Sequence, residues 1–179
     1  MSQLLRFGLI LGVICLAATL VLAVTYEITK PKIEEKLNIE EEGALKEILP
    51  NADSFNEKTI DGIDYFEARK DKNLAGYCLR VTGAGYNGFI RIIVGIDPGG
   101  VIKGVRILEQ QETPGLGAKV GEEAFLKQFA GKEARGLEVK KNIDAVTGAT
   151  ISSRAVTDAI NKTVTEFLTQ ISNQVRHSR

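Results

Sequence analysis

The sequence predicts an α+β protein in which a single N-terminal transmembrane helix precedes an antiparallel-sheet domain with packed helices. The first observation behind this prediction is an uncharged apolar run from Phe7 to Val24. The second is a series of short, β-branched runs between Asp64 and Leu108, followed by a long amphipathic segment. We therefore divide the chain into an anchor over residues 1–26, a stalk and first helix over 27–50, and a folded domain over 51–179.

The apolar run FGLILGVICLAATLVLAV is the anchor. At ~18 residues and ~1.5 Å rise per residue it just crosses the hydrocarbon core of a bilayer. A cleaved signal peptide is the main alternative, because Val21-Leu22-Ala23 has small or branched residues where a signal peptidase reads. The run is longer than the usual ~7–15-residue signal core, which favours an uncleaved anchor. Arg6 before it and Lys30 and Lys32 after it do not decide its orientation.

The remaining elements follow from apolar spacing and turn residues. Residues 26–49 repeat apolar side chains at helical spacing and end in the turn Pro50–Asp53. The terminal segment places Val156, Ile160, Val164, Phe167 and Ile171 on one helical face, which predicts packing on the sheet. We predict strands over Asp64–Ala68, Ala75–Thr82, Phe89–Ile96 and Val101–Leu108, a short helix over Glu122–Phe129, a strand around Leu137–Lys140 and a helix over Ile151–Gln174.

The composition excludes several classes of function. The chain has 179 residues, enough for one packed domain plus an appendage, and its 23 basic and 23 acidic residues leave no net charge for nucleic-acid binding. Cys15 and Cys78 fall in different elements, so no disulfide is expected, and His177 is a single histidine near the terminus that we expect to be solvated. We therefore predict no metal site, and no triad or carboxylate pair indicates a catalytic residue.

The segment Gly83-Ala84-Gly85-Tyr86-Asn87-Gly88 satisfies a GxGxxG pattern. In a dinucleotide-binding fold this pattern must lead from a strand into a helix, whereas here the β-branched run FIRIIVGI follows. We therefore predict a glycine turn between neighbouring strands and no NAD site. Tyr86 is at most a candidate for lining a nearby cavity.

Thr147-Gly148-Ala149-Thr150 precedes the terminal helix. Gly148 and Ala149 are small enough for another molecule to approach the backbone, and Thr150 is a candidate N-cap. The first amides of a helix bind anions, so a phosphate here would contact Thr150, Ile151, Ser152 and Ser153. On physical grounds alone, a plain cap without a ligand is the commoner case.

Two motifs resemble a known family. The segment Asp144-Ala145-Val146-Thr147-Gly148-Ala149-Thr150 resembles the acceptor motif of FMN-binding domains, in which a flavin transferase moves FMN from FAD onto the last Thr as a phosphoester. Glu112-Thr113-Pro114-Gly115-Leu116-Gly117 resembles a segment of the G subunits of Rnf electron-transport complexes. The C subunit of the sodium-pumping NADH:quinone reductase is a related but usually longer protein, so the compact chain favours the G-subunit family.

The resemblance implies covalent FMN on Thr150, with Asp144, Thr147, Gly148 and Ala149 as the frame that the transferase recognises. It also implies that the loop from Glu112 through Pro114 to Gly117 wraps the isoalloxazine ring. Backbone amides of Thr113, Gly115 and Gly117 would face the ring carbonyls, and Leu116 would cover an apolar face. Ile151 and Ser152 would complete the cofactor-binding set at the helix start.

The implied function is an electron-carrier subunit in a membrane complex that couples electron transfer between ferredoxin and NAD to sodium or proton translocation. Its partners would be the other subunits, a flavin transferase and membrane lipid, with the FMN domain on the extracytoplasmic side of the cell membrane. Two alternatives stay open: a freestanding exported flavoprotein cleaved after Ala23, and a cofactor-free anchored interaction domain in which Thr150 only caps a helix.

Overall fold

A computed structural model describes residues 3–177 and contains two compact units that divide after Glu40. Helix α1 extends from Gln3 to Ile48 with Pro31 inside it, so the stalk is helical. The first unit consists of the described part of α1 up to Glu40. This helix is long and apolar enough to cross a membrane, and its large apolar side chains between Leu5 and Val24 are exposed.

The second unit contains a five-stranded antiparallel sheet whose strands follow one another in chain order. The antiparallel sheet with packed helices confirms the predicted fold class. The strands are β1 (Ser54–Ile60), β2 (Ile63–Lys70), β3 (Asn73–Ala84), β4 (Phe89–Ile96) and β5 (Ile102–Glu109).

Strand β1 was missed because its residues are mostly exposed and polar, without apolar alternation. Asp61 and Gly62 join it to β2, and both have positive φ (46° and 79°). Adjacent residues of this kind are typical of a type I′ hairpin turn, for which Asp-Gly is a preferred sequence. The dipeptide was therefore the signal that predicts this hairpin.

Both faces of the sheet are covered, because successive residues of a strand point to opposite faces. Leu79 and Ile92 belong to the main core, together with the predicted face of the terminal helix α3 (Thr150–His177). Cys78 and Ile93 belong to a second cluster, together with Leu45 and Ile48 of α1 and with Leu49 directly after that helix. The side chain of His177, which we expected to be solvated, lies outside the described residues.

Arg80 joins the end of α1 to the sheet. Its Nε and Nη2 atoms donate to the two carboxylate oxygens of Glu41 at 2.6 and 2.8 Å, and it also pairs with Glu57. These bonds, Glu41's first, raise the pKa of Arg80 above its ordinary value. The guanidinium carbon lies 4.6 Å from the centre of the Phe66 ring, so the charge also contacts an aromatic face.

The segment between β5 and α3 is mostly irregular. Helix α2 (Glu123–Leu126) and a 3₁₀ turn (Lys127–Phe129) occupy the predicted short helix. The prediction of a strand around Leu137–Lys140 is wrong: Val139 forms only an isolated bridge with Ile143. Leu137 and Val139 are buried, so their apolar character reflects core packing inside a turn that Asn142 closes by accepting from the Glu138 amide.

Candidate functional site

Helix α3 begins one residue earlier than predicted. Its first backbone hydrogen bond runs from the Ser153 amide to the Ala149 carbonyl at 2.9 Å, which makes Thr150 the first helical residue and Ala149 the N-cap. The prediction of Thr150 as the N-cap is therefore wrong. The amides of Thr150, Ile151 and Ser152 precede this first bond, so the helix start presents the anion-friendly end of its dipole.

The Ser153 side chain stabilises this helix start through two hydrogen bonds. Its hydroxyl donates to the Ala149 carbonyl at 2.9 Å and accepts from the Val146 amide at 3.0 Å, and the residue is fully buried. The hydroxyl is thus already bonded within the fold. Ser153 does not line the cavity described next, and its predicted contact with an anion stays a prediction.

A cavity of about 430 Å³ opens at the start of α3. This volume falls within the range of small-molecule sites, about 300–1,000 Å³. Three segments that are distant in sequence form its walls: the β3–β4 turn, the loop after β5 and the first turn of α3. The lining residues are Tyr86, Glu112, Thr113, Leu116, Gly117, Gly148, Ala149, Thr150, Ile151 and Ser152.

Four of the predicted site residues do not line the cavity. Pro114 and Gly115 are exposed in the loop after β5, and Asp144 and Thr147 are exposed in the segment before α3. The backbone of Asp144 is held by Gln128, whose side chain accepts from the Asp144 amide at 2.8 Å and donates to its carbonyl at 3.3 Å. Asp144 therefore has a fixed backbone and an exposed side chain.

The cavity walls carry large apolar side chains that are open to solvent. Tyr86, Leu116 and Ile151 are 71%, 50% and 55% exposed. Gly148 has a φ of +79°, and a Cβ on it would lie 3.2 Å from the Leu116 side chain. A residue with a side chain at position 148 would therefore be strained and would crowd Leu116.

Glu112 lies at the centre of the lining and is buried. Its Oε1 atom accepts from the amides of Tyr86 and Asn87 at 2.8 and 3.1 Å, and its Oε2 atom accepts from the Ser152 hydroxyl at 2.7 Å. The carboxylate of this residue in the loop after β5 thus hydrogen-bonds to the other two walls. Its position beside the first turn of α3 is favourable for a negative charge.

The cavity has a distinctive charge pattern. Within the part of the chain that the structure describes, no lysine or arginine lines it, and Glu112 is the one charged lining residue. The described residues also contain no group of three or more His, Cys, Asp or Glu side chains suited to a metal ion. The site therefore offers helix-start amides, hydroxyls and apolar surface to a ligand.

The cavity combines apolar side chains with the amides of a helix N-terminus, and the domain follows a helix that is long and apolar enough to span a membrane. These features define a membrane-anchored cofactor-binding protein. Residues 85–165 match the family model of the FMN-binding domain, and residues 1–48 match that of the RnfG N-terminal region.

Several curated relatives agree. The chain is 33% identical over 165 residues to the G subunit of the proton-translocating ferredoxin:NAD(+) oxidoreductase complex of Clostridium ljungdahlii, covering 89% of both chains. It is 35% identical over 194 residues to the G subunit of the ion-translocating oxidoreductase complex of Haemophilus influenzae, covering 94% of this chain and 91% of the relative. The chain belongs to the family of G subunits of ion-translocating oxidoreductase complexes, and it carries that family's FMN-binding domain.

Solved structures show the same fold. The C subunit of the Na(+)-translocating NADH-quinone reductase of Parabacteroides distasonis superposes with a TM-score of 0.51 at 27% identity, over 60% of this chain and 63% of the other. NqrC of Shewanella oneidensis superposes with a TM-score of 0.50 at 25% identity, over 66% and 72% of the two chains.

Proposed function

We propose that this chain is the membrane-anchored electron carrier of an ion-translocating oxidoreductase complex, with FMN linked covalently to Thr150. The observation that carries the proposal is which hydroxyl groups near the start of α3 reach the cavity and which are already hydrogen-bonded within the fold. Thr150 lines the cavity and is half-buried, whereas Ser152 and Ser153 are buried and donate to Glu112 and to the Ala149 carbonyl. Thr147 is exposed and lies outside the lining. Among the hydroxyls near the start of α3, that of Thr150 is therefore the best placed to hold a group inside the cavity.

The charge pattern supports a covalent bond. The phosphate of free FMN is an anion, and the lining offers it no cationic side chain and one carboxylate, Glu112. Helix-start amides alone contribute only about 0.3–1 kcal/mol through the dipole at an exposed site. A phosphoester to Thr150 holds the cofactor without depending on that weak attraction.

The attachment step that we propose is a phosphoryl transfer from FAD. The Thr150 hydroxyl oxygen forms a bond to the flavin-side phosphorus, the bond between that phosphorus and the AMP oxygen breaks, and AMP leaves with the hydroxyl proton passing to solvent. A flavin transferase would recognise Asp144, Thr147 and Gly148, which are exposed. Ala149 is 5% exposed, so its small size suits the packing of the helix start.

The remaining lining residues would hold the ring. The bound flavin supplies one- and two-electron transfer. Leu116, Tyr86 and Ile151 present apolar surface to it, and the backbone of Thr113, Gly115 and Gly117 lies in the loop beside it. We expect Leu116→Ala to shift the flavin reduction potential and to retain attachment, whereas Leu74→Ala, an exposed leucine outside the lining, changes neither. An unshifted potential in Leu116→Ala would exclude a contact between Leu116 and the ring.

Denaturing gel electrophoresis tests the attachment site. The full chain is expressed with a flavin transferase, and the protein band is viewed under ultraviolet light. We expect fluorescence in the wild type, in Thr150→Ser and in the control Thr169→Ala, and none in Thr150→Ala. Fluorescence in Thr150→Ala would place the bond elsewhere, and a dark wild-type band would favour a cofactor-free interaction domain.

We also propose that the flavin domain lies on the extracytoplasmic side of the membrane, with the lipid-embedded part of α1 retained. Labelling of intact cells tests the side: Lys141→Cys in a Cys15→Ala chain carries one exposed thiol, because Cys78 is fully buried. A membrane-impermeant maleimide should label it before lysis, and labelling only after lysis would place the domain in the cytoplasm. A mature chain that begins at Val24 would instead indicate a freestanding exported carrier.

The other subunits of the complex are the proposed electron donor and acceptor. Relatives are named for proton and for Na(+) translocation, and both are ferredoxin:NAD(+) oxidoreductase subunits. Membranes that lack this chain should lose ferredoxin-dependent NAD reduction. The wild-type chain should restore it and Thr150→Ala should not, whereas full restoration by Thr150→Ala would exclude the proposed flavin from the electron path.

A further inference from the structure

We propose that Glu112 is a positioning residue for the flavin, which holds the β3–β4 turn against the start of α3 so that Tyr86 contacts the ring. The proposal rests on the proposed function, because it takes the cavity beside Thr150 as the flavin site. It assigns a role to the glycine-rich segment from Gly83 to Gly88, which the sequence predicts to be a turn, and to a buried carboxylate that the attachment step does not use.

The hydrogen bonds of Glu112 give the first argument. The two Oε1 bonds reach residues 26 and 25 positions earlier in the chain, and the Oε2 bond reaches a residue 40 positions later. Each wall of the cavity is otherwise an irregular turn or a helix end. Three donors on one carboxylate therefore join walls that the backbone does not connect directly, and hydrogen bonds to a charged group are stronger than those between neutral groups.

The glycines around the carboxylate give a second, independent argument. A Cβ at Gly85 or at Gly117 would overlap the Glu112 carboxylate, and a Cβ at Gly117 would also lie 3.0 Å from the Ser152 hydroxyl. The backbone on two walls therefore approaches the carboxylate more closely than any side chain permits. With Glu112 in this position, only glycine can occupy positions 85 and 117 without displacing the carboxylate.

The consequence for the cofactor concerns Tyr86. Its amide donates to Glu112, while its ring lines the cavity and is 71% exposed. An aromatic side chain whose backbone is hydrogen-bonded in this way provides a flat surface for the isoalloxazine ring. Phe89, 69% exposed and three residues later, does not line the cavity and serves as a matched control.

The clamp is the set of hydrogen bonds by which Glu112 holds the β3–β4 turn and Ser152. Hydrogen–deuterium exchange tests it without any flavin. The full chain is prepared in detergent micelles without the transferase, and exchange is followed by mass spectrometry in the peptide that contains Tyr86 and Asn87. We expect about tenfold faster exchange in Glu112→Gln, because the neutral amide oxygen is a weaker acceptor for the Tyr86 and Asn87 amides than a carboxylate oxygen is. Glu122→Gln, which changes an exposed carboxylate outside the lining, should match the wild type. Unchanged exchange in Glu112→Gln would overturn the clamp.

Flavin measurements separate positioning from a purely structural role. In the flavinylated full chain, Glu112→Gln should lower the flavin fluorescence anisotropy and change the ratio of reduced to oxidised flavin at a fixed potential at least threefold, and Glu122→Gln should do neither. Tyr86→Ala should lower the anisotropy, while Tyr86→Phe and Phe89→Ala retain it. Faster exchange with unchanged flavin properties would reduce Glu112 to a structural residue.

Ser152→Ala provides a milder change, since it removes only the Oε2 partner and leaves the turn bonded. If Glu112→Gln does not fold, Ser152→Ala should still change the flavin anisotropy, and a wild-type value would overturn the proposal. The two proposals also fail differently. A wild-type chain without covalent flavin refutes the attachment to Thr150, whereas the exchange experiment judges the clamp in flavin-free protein.

Discussion

Substitutions of Thr150 and Ser153 should have opposite effects: Ser153→Ala should destabilise the domain and keep the flavin, and Thr150→Ala should lose the flavin and keep the stability. Ser153 is fully buried, and its hydroxyl makes two hydrogen bonds, to the Ala149 carbonyl and from the Val146 amide. In Ser153→Ala the part-buried Val146 amide loses its acceptor, and a donor left unsatisfied inside the fold costs about 1–3 kcal/mol. At roughly 4 °C per kcal/mol for a domain of this size, the melting temperature should fall by about 4–12 °C.

Thr150→Ala should have the reverse effect. Thr150 is the first helical residue and makes no cap, so the ~1 kcal/mol cost of losing an N-cap does not apply. Alanine is the better helix former by up to ~0.7 kcal/mol. The melting temperature should stay within ~2–3 °C of the wild type, while the covalent flavin is lost completely; Ser153→Ala keeps the Thr150 hydroxyl and should keep its flavin.

Tyrosine fluorescence of the full chain in detergent micelles measures the unfolding. Tyr65 and Tyr77 are buried beside Phe167 in the main core, with ring centroids 4.8 and 5.0 Å from that of Phe167, so they report on the domain. All variants are compared without flavin, so that the cofactor does not contribute to stability. Equal destabilisation by both substitutions, or a wild-type melting temperature in Ser153→Ala, would refute the claim that the Ser153 side chain stabilises the start of α3.

Two further predictions concern the sheet. Gly83→Ala should destabilise the domain by about 1–3 kcal/mol, because its Cβ would lie 2.7 Å from the Ala155 carbonyl oxygen of α3, whereas Gly121→Ala, which has open space, should melt like the wild type. Hydrogen bonds, that of Lys58 foremost, lower the pKa of the Glu67 carboxyl. Its stabilisation is therefore present above the unfolded pKa of about 4.3 and is lost as pH falls through the lower folded pKa. Urea unfolding should show the wild type more stable than Glu67→Gln at pH 7, with the difference shrinking below about pH 4; a difference independent of pH would contradict this.

Local patterns in the sequence predicted most of the fold. Short β-branched runs bounded by turn residues located β2 to β5, and period-3.6 spacing located α3, because a strand that is covered on both faces carries a nearly continuous apolar run and a helix packed on one face carries a periodic one. Strand β1 escaped because an edge strand with exposed side chains has no apolar alternation. The prediction of a strand at Leu137–Lys140 was wrong because buried apolar residues in a turn give the same sequence pattern as a short strand.

The candidate site was only partly predictable for a different reason. Thr150 and the residues around it are contiguous, so a motif reveals them, and Glu112 was named as part of a second motif. Nothing in the sequence indicates that Glu112 binds the turn at Tyr86 and the hydroxyl of Ser152, because these contacts join residues that are far apart in the chain. Likewise, the role of Ser153 depends on where α3 begins, and helix ends are the least certain part of any sequence-based assignment.

The open cavity is itself informative about an electron carrier. An enzyme that performs acid–base chemistry on a substrate encloses it and excludes water, whereas a carrier must let another redox centre approach its cofactor. Tyr86, Leu116 and Ile151 line the cavity and are at least half exposed. The carboxylate of Glu112 is hydrogen-bonded to the Tyr86 amide and to the Ser152 hydroxyl. A cavity this open retains a non-covalent ligand poorly, because little of the ligand surface is buried. Under the proposed function, exposure for electron transfer and a covalent bond at Thr150 are therefore two parts of one solution: the bond retains the flavin, and the walls are left free to present it.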